Sequence, residues 1–322
     1  MNGPEAVVNV LDSLLARAED DIHELELPDA DLLENSAWYS SCRPERKKLL
    51  EKTAEALLHR SPRTHGPHLR QMEITGEKSA KQAQAMANTP LFVLVENRES
   101  DGALVKSAIR VFATPAAIEL CLGAGALATP KAFDIDSGGG AGELPKVLAQ
   151  RLQDAVDRQC PPRVIVIADT DGEWVGDIKD HAARIRTEAH KGGVPCPPLN
   201  KRTAENYIPD GVWRAWATDN AAARPAVEAL LSLSPIQRDH VHIEGSNVDP
   251  WNYTKPHAAS LFADVRAGDF DLIKAASLKG RRSSAIANMF ETYKSEMTVA
   301  ELKSRDSAGD LEAIVCCIED EL

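Results

Sequence analysis

The run Pro162-Arg163-Val164-Ile165-Val166-Ile167-Ala168-Asp169-Thr170-Asp171-Gly172-Glu173 constrains the fold of this chain more than any other segment. From Val164 to Ile167 every residue is apolar and β-branched, without the alternation of a strand that has one face in water. A strand of this kind is buried on both faces, as in a parallel sheet covered by helices, and ligands collect at the carboxyl ends of such strands. Here that end carries two aspartates separated by one residue, with a glutamate two residues further on. Carboxylates so close repel each other unless a cation or a shared proton relieves them. Mg²⁺, a hard ion that prefers oxygen, is the obvious cation.

A chain of 322 residues has room for two domains, or for one core with helical additions. Its hydrophobic content of 43% with only 5% aromatics fits an α/β or helical globule rich in Ala, Leu and Val. No stretch approaches the roughly 18 apolar residues of a membrane helix, so no membrane association is expected. The amino end shows no basic segment leading into an apolar one, and the six cysteines form no CxxC pair. The expectation is a cytoplasmic protein with reduced thiols and no zinc.

A net charge of −12 argues against wrapping nucleic acid by bulk electrostatics. The charge is uneven, however. Residues 1–35 hold ten acids and the single base Arg17, whereas 43–70 hold Arg43, Arg46, Lys47, Lys48, Lys52, Arg60, Arg63 and Arg70 against three acids. A second basic cluster comprises Lys274, Lys279, Arg281 and Arg282. Each cluster is either a solvated helix face or a phosphate-contacting surface.

Apolar spacing predicts an amphipathic helix over 4–26, a second over 44–58 and a polar, Ala-rich helix over 76–88, with a Pro- and Gly-rich loop at 61–68. Leu91 to Val95 reads as a buried strand that ends at Glu96, followed by a helix over 101–112. A weaker strand is expected at 117–122. The glycine run Gly138-Gly139-Gly140 leads into a helix over 143–157, and another helix is expected over 177–190 after the acidic pair. Beyond Pro209 the pattern is mainly helical, with segments near 212–233, 257–278, 282–293 and 298–319. The chain therefore divides into a helical region 1–88, an α/β core 89–210 and a mainly helical region 211–322.

Acidic residues then fall at strand ends or in loops of one sheet: Glu96, the pair Asp169 and Asp171, and Glu205 within Arg202-Thr203-Ala204-Glu205-Asn206-Tyr207. A two-metal phosphoryl-transfer site needs such convergence, one ion activating water and the other steadying the leaving oxygen. Glu173 is a further candidate ligand or a solvated helix-start acid. Lys201, Arg202 and Lys255 are candidates to steady a charged phosphate. His181 and His190 read as surface residues.

In this order the segments resemble the Toprim domain of topoisomerases, primases and the nucleases of the OLD (overcoming lysogenization defect) type. Val93-Leu94-Val95-Glu96 matches the first strand, with Asp101 as the acid that follows; Gly138 to Gly140 match the Gly-rich turn, Asp169-Thr170-Asp171 the acidic pair, and Arg202 to Tyr207 the last motif. The match covers roughly residues 90–210. The family places Gly after the first glutamate and an acid about four residues on, whereas this chain reads Glu96-Asn97-Arg98-Glu99-Ser100-Asp101, which leaves Glu99 and Asp101 as alternative companions of Glu96.

The resemblance implies a Rossmann-like parallel-sheet Toprim core flanked by helical regions. It implies a Mg²⁺- or Mn²⁺-dependent nuclease acting on DNA or RNA, with Glu96, Asp101, Asp169, Asp171, Glu173 and Glu205 toward metal and Lys255 as a catalytic cation. Lys201, Arg202, Arg281 and Arg282 would meet nucleic acid. It further implies anti-phage defence beside a separate ATPase or sensor protein, since the Walker A pattern is absent from this chain, and is compatible with a homo-oligomer.

Three other readings compete. Asp169-Thr170-Asp171-Gly172 also resembles the nucleophile motif of haloacid-dehalogenase-like phosphatases, but a strand–helix–strand region precedes it and Glu173 follows the Gly. An EF-hand loop from Asp169 lacks the preceding helix and the twelfth-position glutamate. The third is a Toprim-like module that binds nucleic acid or a partner without cutting.

Overall fold

The computed structural model describes residues 4–19, 34–58, 72–75, 77–140, 142–243, 256–275 and 289–322. Lys255, Lys279, Arg281 and Arg282, the expected loop 61–68 and most of the expected helix 282–293 lie outside them.

The fold is α/β, with three parallel strands in the order β2-β1-β3 and helices around them. The central strand is β1 (Leu91–Val95), and β3 is Val164–Val166. The Ile167 amide extends the pairing by donating to the Leu94 carbonyl at 2.9 Å. Leu91, Val93, Val95, Ile165 and Ile167 fill one face with Leu104, Val105, Ala108 and Ile109 of the helix Ser100–Phe112. Leu94, Val164, Val166 and Ala168 fill the other with Leu144 and Leu148 of Leu144–Asp157 and Ile185 and Ala189 of Asp180–Lys191. Two covered faces account for the unbroken apolar runs of β1 and β3.

The remaining strand departs from the expectation. The segment 117–122 is part of the helix Pro115–Leu122, begun by the Thr114 side chain, which accepts from the Ala117 amide at 3.3 Å, and by Pro115 in the first turn. Thr-Pro is a helix-start signal that overrides the short apolar run. The strand is instead β2 (Phe133–Ser137). Phe133 and Ile135 point into the core, while Asp136 pairs with Arg151 at 2.6 Å and Asp134 faces Arg98 and Lys131. Alternation of this kind belongs to an edge strand.

The other helices follow the sequence pattern more closely. Pro4–Glu19 places Val10 and Leu14 against Ala80 and Ala83 of Glu77–Ala87, and Pro44–Leu58 forms over the expected span. The expected helix 212–233 is two, Asp210–Asp219 and Arg224–Ser232, and the span 298–319 is divided into Val299–Arg305 and Asp310–Glu321. The second break lies where Gly309 turns left-handed (φ 78) and Asp306 accepts from the Leu311 amide at 2.7 Å. Leu311, Ile314, Val315 and Ile318 join the same apolar cluster as Leu91 and Val93, so the 211–322 region shares its core with the sheet. Among the described residues no helix is long and apolar enough to cross a membrane.

Candidate functional site

Parallel pairing puts the carboxyl ends of all three strands on one edge, where Glu96 follows β1, Gly138 follows β2 and Asp169 follows β3. The glycine run wraps around Glu96: Gly138 N donates to Val95 O at 3.2 Å and Gly140 N to Glu96 O at 3.0 Å. A side chain at Gly138 would meet the Leu144 backbone at 2.6 Å, so this turn needs glycine to bring the next helix close.

Asp169 is the centre of the edge. Burial first, and then the charges of Asp101, Glu205, Glu96 and Asp171, hold its carboxyl well above the usual carboxylate range. Residues from three stretches of chain, 96–101, 169–171 and the segment of Glu205, therefore meet electrostatically at one aspartate. Asp101 is 6% exposed, with its carboxylate accepting from Asn97 N at 2.8 Å and from Ser100 Oγ at 2.9 Å. Glu99, the alternative companion of Glu96, is exposed at the start of the same helix.

Asp171 adopts a left-handed backbone (φ 51), a conformation that costs a non-glycine residue roughly 1–2 kcal/mol. The neighbouring loop holds it there. Asp171 N donates to Arg202 O at 2.9 Å, and Thr170 Oγ1 donates to Lys201 O at 2.8 Å. These bonds lace the acidic turn to the segment that carries Glu205, which is 2% exposed in a short 3-10 helix, Ala204–Tyr207.

That segment is anchored in turn from the carboxyl-terminal region. Asn206 Nδ2 donates to Arg238 O at 2.7 Å and Val241 O at 3.0 Å, while its Oδ1 accepts from Thr203 N at 3.0 Å. The Tyr207 hydroxyl donates to Asp310, whose carboxylate also accepts from Asn200 N at 2.8 Å and Nδ2 at 2.6 Å. His240, 2% exposed, places Nδ1 3.2 Å from Gly172 O.

The remaining expected site residues are placed differently. Glu173 is ion-paired with Lys179. Lys201, expected to meet phosphate, is 4% exposed and lies 2.6 Å from Asp239, which also holds Arg305. Burial, with the Arg305 charge beside it, pulls the Lys201 ammonium below its ordinary value, and Asp239 opposes the shift. Arg202 is half-buried, with Nε lacking an acceptor among the described residues. Lys255, Arg281 and Arg282 lie outside the described residues.

Sequence reasoning missed His181, whose Nε2 lies 2.8 Å from Asp171 Oδ2 at the rim of the site. The available signal was its place in the first turn of the helix that follows the acidic pair. It missed Asp239, His240, Arg305 and Asp310 as well, and no local pattern marks them.

The donors gathered around Asp169 are all carboxylate oxygens, the chemistry that Mg²⁺ and Mn²⁺ select. A cation there would relieve the charge that burial and four acids oppose. Among the described residues, no three His, Cys, Asp or Glu side chains already stand close enough to hold an ion. No family model matches the chain, and no significantly similar curated protein or solved structure was found.

Proposed function

We propose that the protein is a Mg²⁺- or Mn²⁺-dependent nuclease that hydrolyses phosphodiester bonds of DNA or RNA, built on a Rossmann-like core of the Toprim kind. One observation carries the reading: a half-buried aspartate at a parallel-sheet edge feels four other carboxylates, brought together from three stretches of chain. The order of motifs that resembles OLD-type Toprim nucleases supplies the reaction class. Control by a separate ATPase or sensor protein in anti-phage defence belongs to the same proposal and rests on that resemblance.

In this reading Glu96, Asp101, Asp169, Asp171 and Glu205 hold the metal. When bound, it would polarise the phosphate and lower the pKa of an attacking water. His181 steers Asp171 through the contact between them, and the acidic turn keeps its shape through its bonds to Lys201 and Arg202. Arg202, half-buried with its backbone against the acidic turn, is the candidate cation for a phosphate oxygen. Lys201 acts behind the site, holding Asp239.

The wider than ligating spacing of the acids favours one second reading, a module that binds nucleic acid or a partner without cutting. A single experiment separates the two. Purified protein with Mn²⁺ is expected to nick plasmid or degrade RNA, and Asp169→Ala to lose at least about 10³-fold of that rate, a loss of several kcal/mol of transition-state stabilisation. Mn²⁺ at about 100 times its Kd should also raise wild-type stability by about 2.7 kcal/mol in thermal unfolding, and should not do so in the variant. Undiminished cleavage by a folded Asp169→Ala protein would overturn the metal assignment. A metal-dependent shift without cleavage, in the presence of the cognate partner, would favour the binding module.

A further inference from the structure

The loop that leaves the acidic turn is built to hold apolar side chains in water. Val175 is 65% exposed and Ile178 39%, and Trp174 between them and the acids is half-buried. The loop nevertheless has a defined shape. Trp174 to Asp177 form a β-turn in which Asp177 N donates to Trp174 O at 3.0 Å and Gly176 takes the positive φ (81) required at its third position.

Further bonds close the base of the loop. Glu173 N donates to Asp177 Oδ2 at 3.0 Å, Lys179 bridges Glu173 and Asp177, and Lys179 N donates to Thr170 O at 3.0 Å. The Asp177 carbonyl lies so close over Gly172 that a side chain at that glycine would meet it at 2.2 Å. The loop is thereby folded down on the turn that carries Asp169 and Asp171. Its Trp174 is three residues from Asp171, no more than about 10 Å of chain.

Trp174 also has an aromatic companion from a distant part of the chain. The exposed His257 ring lies 5.5 Å from it, tilted by 41°. Two rings and two exposed aliphatic side chains thus line the rim beside the carboxylates. The patch is small compared with the roughly 800 Å² per partner of a stable protein interface.

We propose that this rim, Trp174 with His257 and the apolar tip Val175, is a stacking platform for an unpaired nucleobase, so that the favoured substrate is single-stranded or locally splayed nucleic acid. The inference rests on the nuclease reading of the acidic edge and names the substrate class of that site. A phosphodiester held at the carboxylates carries its bases one sugar away, within the span of this loop. Paired bases in a duplex are stacked on each other and offer no free face, so an aromatic rim selects strands whose bases are open. Stacking also supplies attraction that does not depend on charge, which an acidic chain with a net charge of −12 needs.

The test measures binding of the full chain to a labelled single strand of about 12 nucleotides, a usual site size, and to the same sequence as a duplex. Ca²⁺ occupies the place of the catalytic ion, and strand integrity is checked on a gel. Trp174→Ala is expected to weaken single-strand binding by about 5- to 150-fold, the range of one lost base stack, and duplex binding by less than about twofold. Trp174→Phe, which keeps a ring, should restore most of the affinity. Val175→Ser, at a position open to water, should show a smaller loss in the same direction and reports in place of Trp174→Ala if that variant is misfolded by circular dichroism. Equal loss on both substrates, no loss on the single strand, or no nucleic-acid binding by the wild type each overturns the proposal. Trp174-dependent single-strand binding without cleavage would leave the platform standing and remove the nuclease. Cleavage with binding indifferent to Trp174 would do the reverse.

Discussion

His240 touches the site from behind, with its ring against the Gly172 carbonyl. Burial is the main cause that pulls its pKa below the ordinary histidine value; Lys201 and Arg202 add to the shift, and the Gly172 contact and Asp239 oppose it. The unfolded chain takes up this proton near pH 6.5, and the folded protein only at lower pH. Between those two values the unfolded state binds more protons, so stability is complete above about pH 6.5 and falls as the pH drops through the folded value. Urea midpoints measured between about pH 7.5 and pH 5 should therefore fall more steeply for the wild type than for His240→Gln, which has no proton to gain. Equal slopes would show that the ring does not carry this linkage. His181 shows the complementary lesson at the same scale, because a histidine that reads as a surface residue is paired to Asp171 once the helix after the acidic turn folds back.

The element that fixes the third arm of the site is the short loop from Asn200 to Tyr207, and its anchor is the first turn of the helix Asp310–Glu321. Asp310 takes three donors from that loop: the Tyr207 hydroxyl, the Asn200 amide and the Asn200 side chain. Asp310→Ala strands the Tyr207 hydroxyl and the Asn200 side chain and leaves Asn200 N only the Tyr207 oxygen at 3.2 Å, and is expected to cost about 1–3 kcal/mol in denaturant titration. Tyr207→Phe leaves both Asn200 bonds to Asp310 in place and removes only the hydroxyl, with its longer bonds from Asn200 N and Lys201 N, so it should cost less. If Asp310→Ala unfolds like the wild type, the anchor is not formed in solution.

The strands β1 and β3 could be read from sequence because both faces are buried and the apolar runs are uninterrupted. β2 could not, since only Phe133 and Ile135 are apolar in it and its aspartates meet arginine and lysine, which resembles a polar loop. The Asp310 anchor had no local signal at all. Its partner Tyr207 stands 103 positions away, and periodicity carries no information across that separation.

At the scale of the whole molecule, one apolar cluster runs from Leu91 through the sheet to Ile318, and the helix Asp310–Glu321 lies along the helix Ser100–Phe112. Removing residues 289–322 would uncover Leu104 and Ile109 together with the loop that carries Glu205. The shortened chain is expected to lose its cooperative thermal transition and to be cut rapidly by protease within 91–210; a protected fragment of that span would show instead that the sheet region folds alone. The long reach from Tyr207 to Asp310 also has a consequence in time. At about 5–20 residues per second, a ribosome spends roughly 5 to 20 s adding the 103 residues between them. During that interval the nascent chain already carries every carboxylate of the acidic edge, yet lacks the helix that locks the Glu205 loop. Under the proposed nuclease function, assembly of the acidic edge would therefore wait until the carboxyl-terminal helix has been made.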